Sequence, residues 1–109
     1  MFAAFTIEYY HPRVLATIED GPVDVVADAR LVELLSKHGP AVGMPHSRAL
    51  GQGLFELRPR GRSGTGRALY CFVQDRRIVI VHAFLKKTRT TPGHDLAIAR
   101  QRTKEIQRG

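Results

Sequence analysis

Apolar and polar positions divide the 109-residue chain into segments of two different periods. "FTIEYY" at 5–10 mixes aromatic and β-branched residues in partial alternation, the pattern of a first strand. "PRVLATIED" at 12–20 fits a short helix, with Val14, Leu15 and Ile18 on one face, or an extended connection, because Thr17 and Ile18 lower helix propensity. From Pro22, which suits a first helical turn, the residues Val25, Val26, Ala29, Val32 and Leu35 recur at spacings of three and four. Asp24, Asp28 and Glu33 stay off that stripe, so an amphipathic helix is predicted up to Lys37, closed by "HGP" at 38–40. "AVGMPHSRALGQG" at 41–53 offers turn residues with little periodicity and reads as a loop.

Beyond it the period changes to two. "LFELRPR" at 54–60, "RALYCFV" at 67–73 and "RIVIVHAFL" at 77–85 are three consecutive strand candidates joined by short turns, which reads as an antiparallel meander. The last is apolar on both parities, the pattern of a central strand covered on both sides. Thr91 is a candidate N-cap with Pro92 at the first helical position, and a tail helix is expected to about Gln107 with Leu96, Ala99, Thr103 and Ile106 on one stripe. The fold class expected is α+β: one small domain over residues 1–109, in which an antiparallel sheet, the N-terminal strand plus the three-strand meander, is packed by helices.

Charge sharpens this picture. Up to Leu57 four bases stand against seven acids, and from Arg58 onward thirteen bases stand against three, so the two halves carry about −3 and +10 of the net +7. Such a basic half attracts polyanions, although a solvated face explains a charge excess equally well. The single Cys71 excludes an internal disulfide, no signal segment is recognisable, and no apolar run approaches the roughly 20 residues of a membrane span. A cytoplasmic protein without membrane association is expected.

"GRSGTGRA" at 61–68 has the spacing of a nucleotide-binding P-loop, with Arg67 where that motif carries Lys and Ala68 where it carries Ser or Thr. A P-loop needs a helix directly after its glycines to present N–H groups to phosphate, and "ALYCFV" reads as a strand. No nucleotide cofactor is therefore expected. What remains is a glycine-rich hairpin loop crowded by Arg58, Arg60, Arg62 and Arg67. On paired strands Arg58 and Arg67 come close together, and like charges side by side call for a shared anion.

A second cationic burst, Lys86, Lys87 and Arg89, follows the most apolar strand and emerges, if the strands pair in order, near Arg67. Neighbouring cations depress a lysine's pKa toward the range useful in proton transfer, while a lysine at a strand end also discourages edge pairing. The five histidines show no metal-ligand spacing, so no metal is expected; His82 and His94 are the two that could reach the cationic cluster. The acids Glu8, Glu56, Asp75 and Asp95 show no pairing in sequence that argues for carboxylate chemistry.

The order of "ELR" at 56–58, "GRALY" at 66–70, "HAFLKKT" at 82–88 and "TPGHDLAIAR" at 91–100 resembles the HigB-like branch of the RelE/ParE toxin superfamily, also described as phage-derived Gp49-like proteins. The resemblance covers residues 54–106. It implies helices packed on an antiparallel sheet, and the toxin of a toxin-antitoxin pair: a metal-independent endoribonuclease acting on messenger RNA at the ribosome, neutralised by an antitoxin with a helix-turn-helix domain. In that family the RNA's 2′-hydroxyl attacks the adjacent phosphate. The matching positions make Arg67, Lys86 and Lys87 the catalytic candidates, with Arg67 gripping the phosphate and a lysine taking the proton. Arg58, Arg60, Arg62, Arg89 and His94 are the candidate phosphate contacts. The superfamily also includes non-catalytic gyrase inhibitors of the same fold, and this chain has no tyrosine after Tyr70.

Overall fold

The computed structural model describes residues 4–20, 29–43, 47–58, 66–85 and 93–108. Along the chain these form β1 (Thr6–Tyr9), α1 (Pro12–Asp20), α2 (Ala29–His38), a single 3-10 turn (Gly39–Ala41), β2 (Ser47–Gly51), β3 (Leu54–Leu57), β4 (Gly66–Val73), β5 (Arg77–Leu85) and α3 (Gly93–Arg108). "PRVLATIED" is helical, and the amphipathic stripe is helical over its described part, with 22–28 outside the described residues. The expected cap of the tail helix, Thr91 and Pro92, also lies outside them.

The five strands make one sheet in the order β1-β5-β4-β3-β2. Two features differ from the sequence expectation. The stretch read as a loop contains β2, whose "SRALG" pairs antiparallel with β3 through a turn in which Gly51, Gln52 and Gly53 all have positive φ, so the meander has four strands. The N-terminal strand lies parallel to β5, with Ile7 opposite Ile78, so the sheet is mixed. β1 and β5 are separated in the chain by both helices and by β2, β3 and β4, far more than the dozen residues a parallel partner requires.

Each face of the sheet carries its own core. Ala68, Tyr70, Ile78, Ile80 and Ala83 meet Val14 of α1 and Leu35 of α2 on one side. Leu54, Leu69, Cys71, Val79 and Val81 meet Ala99 of α3 on the other, with Leu96 and Ile106 beside it. This two-sided cover explains why β5 is apolar on both parities. α2 ends at Gly39, whose φ of +51 suits glycine and where a Cβ would collide with the Phe5 ring. Ser36 fastens the same helix to the chain before β1, its hydroxyl donating to Phe5 O at 2.8 Å and its carbonyl accepting from Phe5 N at 2.7 Å.

One irregularity positions the site. Leu69 pairs with His82 but Tyr70 pairs with Ile80, leaving Val81 as an extra residue in β5. Before this bulge the odd residues Val79 and Val81 face α3; after it Ala83 faces the opposite side, and the alternation has changed phase. Val81 and His82 therefore both belong to the α3 side, an arrangement strict alternation forbids.

Candidate functional site

β2 begins, β3 ends, β4 begins and β5 ends at one end of the sheet, and four charged side chains meet there on the α3 side. Arg48 is opposite Glu56, and Glu56 is opposite Leu69, so the register lays the three residues in one row across β2, β3 and β4. Glu56 is completely buried, and its Oε1 lies 3.2 Å from Arg48 Nη2, 3.9 Å from Arg58 Nε and 3.9 Å from Arg67 Nε. Among the described residues, three cations around one carboxylate leave an excess of two positive charges.

The shared anion that neighbouring arginines require is thus supplied first by the protein itself. A buried carboxylate is tolerable only when paired, and the pairing in turn fixes the guanidinium groups before any ligand arrives. Arg67 is only 10% exposed and its Nη1 donates to Gly66 O at 2.7 Å. Burial lowers its pKa from the ordinary arginine value, Glu56 offsets this, and Arg58 and Arg48 push it lower again. It stays protonated at neutral pH, since guanidinium groups do not lose their proton in proteins. Arg58 at 30% and Arg48 at 38% exposure present the solvent side of the cluster.

Sequence reasoning brought Arg58 and Arg67 together correctly but missed Glu56 and Arg48. The signal for both was the "GQG" punctuation between "SRAL" and "LFEL", a hairpin cue that places Arg48 across from Glu56. Arg60, Arg62, Lys86, Lys87 and Arg89 lie outside the described residues. Leu85, the residue before Lys86, pairs with Gly66, beside Arg67. His94 is exposed in the first turn of α3, and its neighbour Asp95 holds His82 instead, Oδ1 to Nε2 at 2.6 Å. Tyr70 is 1% exposed, its ring stacked on Phe55 and its hydroxyl hydrogen-bonded to Ser47, so it has no face for a base. As the sequence argument required, the P-loop-like glycines lead into strand β4, and the motif has no following helix to bind phosphate.

A family model for the phage-derived protein Gp49-like family (DUF891) matches residues 22–104. The chain belongs to that family. Gp49-like proteins form a RelE/toxin-like family, which is consistent with a toxin of a toxin-antitoxin pair. The Gp49-like match spans α2, the whole β2 to β5 meander and most of α3, and so contains every member of the Glu56 cluster. Comparison with curated proteins finds no match. No helix among the described residues is long and apolar enough to cross a membrane.

Proposed function

We propose that this chain is the toxin of a toxin-antitoxin pair and that it cuts messenger RNA on the ribosome without a metal, as HigB-like toxins do. The observation that carries the reading is the arginine cluster on Glu56: three guanidinium groups gathered on one buried carboxylate, two charges in excess among the described residues, at the sheet end from which residues 59–65 and 86–92 continue the chain. Cleavage of RNA by its own 2′-hydroxyl needs three services. A base accepts the 2′-proton, cations stabilise charge on the non-bridging phosphate oxygens, and an acid protonates the departing 5′-oxygen. The 2′-O–P bond forms, the P–O5′ bond breaks, and the products carry a 2′,3′-cyclic phosphate and a 5′-hydroxyl.

Arg67, Arg58 and Arg48 are suited to the second service, since fixed donors aimed at developing charge need no reorganisation during the reaction. An arginine is unsuited to the first. Lys86 and Lys87, next along the chain after Leu85, are the proposed proton-transfer groups, and Arg60, Arg62, Arg89 and His94 the proposed contacts to flanking phosphates. Neutralisation falls to an antitoxin with a helix-turn-helix domain. The test is induction of the chain in cells followed by mapping of RNA 5′ ends. Discrete new ends inside transcripts are expected, and Arg58→Ala and Lys87→Ala should suppress them. Growth arrest with intact transcripts and damaged DNA would replace the nuclease by a gyrase inhibitor.

A further inference from the structure

β1 covers β5 only as far as Ile80, whose carbonyl accepts from Tyr10 N at 3.0 Å. Past that point side chains meet the strand edge. Arg102 of α3 donates from Nη1 to Val81 O at 2.7 Å while its guanidinium carbon lies 4.7 Å from the centre of the Tyr10 ring. Between this edge, the start of α1 and α3 lies a cavity of about 220 Å³ lined by Tyr10, His11, Arg13, Thr17, His82 and Arg102.

Its polar lining is one-sided. Arg13 and Arg102 bring two positive charges and the two histidines ring nitrogens, the Thr17 hydroxyl donates to Arg13 O at 2.8 Å, and no carboxylate is among the described lining residues. The nearby acids are turned to other partners: Asp95 takes His82 Nε2, and Glu105 accepts the Tyr10 hydroxyl at 2.5 Å. Asp95 thereby orients the His82 ring, and Nδ1, which has no hydrogen-bond partner among the described residues, is an acceptor in the neutral ring and a donor only when both nitrogens carry protons. His11 Nδ1 accepts the Arg13 N–H at 3.1 Å, which caps α1 and fixes that ring as well. The guanidinium groups of Arg102 and Arg13 and the Nε2–H of His11, gathered around an opening of this size, fit a compact anion with several acceptor oxygens.

We propose that this cavity binds a phosphate group of a single RNA strand, as a second subsite beside the Glu56 cluster. The preference for a polynucleotide over a free nucleotide comes from the register. Glu56, Leu69 and His82 are successive partners across β3, β4 and β5, so the bulge at Val81 sets His82 on the cluster's own face two strand spacings away, roughly 10 Å. One strand can span that interval. The choice of RNA rests on the function proposed above; phosphate recognition does not.

The experiment titrates the full-length protein with inorganic phosphate, a nucleoside 5′-monophosphate and a short oligonucleotide with 2′-deoxy linkages, which cannot be cut by 2′-attack. Binding is followed through the His82 ring and arginine side-chain resonances, so the result is independent of cleavage. All three ligands are expected to shift His82, Arg13 and Arg102, and the oligonucleotide to bind at least about tenfold more tightly than the monophosphate. Arg13→Glu, at an exposed side chain, and His82→Gln, which keeps a donor toward Asp95, are each expected to weaken oligonucleotide binding about fivefold without changing the melting temperature. Shifts absent from the cavity residues, or unchanged affinity in both folded variants, overturn the site. Equal affinity for monophosphate and oligonucleotide overturns the polynucleotide assignment in favour of a free nucleotide. Intact binding with no RNA cleavage in cells would overturn the nuclease reading alone and leave the phosphate site standing.

Discussion

Glu56 and Arg67 stand on neighbouring strands with Oε1 and Nε 3.9 Å apart, the carboxylate wholly buried and the guanidinium nearly so. Neither is stable there alone: each desolvated charge is tolerated because the other is present, and Arg48 and Arg58 complete the set. Removing the carboxylate takes from the cations at the junction of β2, β3 and β4 the counter-charge that they share among the described residues. Glu56→Ala is expected to destabilise the fold by about 2–4 kcal/mol, toward the lower part of the range for a broken buried pair because Arg48 and Arg58 are partly solvated. Urea denaturation measures it, and a loss under about 1 kcal/mol would mean that the cluster does not organise this end of the sheet.

Arg58 offers a cleaner probe of binding than Arg67, whose burial mixes function with stability. Arg58→Ala is expected to weaken RNA binding about fivefold and to flatten the slope of log affinity against log salt by about 0.7, the share of one phosphate contact on a single strand. Fluorescence anisotropy across a salt series decides it. An unchanged slope with weaker binding would remove Arg58 from the list of phosphate contacts.

The parallel edge strand is fastened by charge. Glu8 of β1 accepts Arg77 Nε at 2.6 Å and Nη2 at 2.9 Å, and this bidentate bond holds its carboxyl below the ordinary glutamate value. A lowered carboxylate pKa stabilises the fold fully above the unfolded value, and the contribution is lost as pH falls from there through the folded value. Glu8→Gln should therefore narrow its stability gap from the parent in acid and show its full, small effect near neutrality, both groups being partly exposed. Thermal melts at several pH values test this, and a gap that ignores pH refutes it.

Cys71 lies in the core under α3 with no exposed surface. Burial pushes its thiol above the usual value, against a smaller opposing hydrogen bond with Thr103. Reaction requires a thiolate and access, and the native state restricts both. A thiol reagent is expected to label Cys71 only as fast as the domain opens, with the rate rising in urea. Prompt labelling of the native protein would mean that α3 does not stay on the sheet.

Much of this protein was legible in its sequence because it is local. Period-two alternation marked β3, β4 and β5, the three-and-four spacing marked α2, and the change of charge at Arg58 marked the basic half. β2 was lost for a physical reason: five residues ending in Gly51 carry too few apolar positions to show a period, and its strand character comes from its partner β3.

The sequence by itself determined which segments could bury a face, that the glycines after Arg60 lead into a strand, and that arginines crowd one turn. Only the tertiary structure decided that Glu56 is their common counter-ion, that β1 lies parallel along β5 and that His82 shares the cluster's face. Each of these depends on register between strands far apart in the chain. A single inserted residue, Val81, moves every later side chain of β5 to the other side of the sheet, and no pattern read along one strand reveals where its partner leaves a residue unpaired.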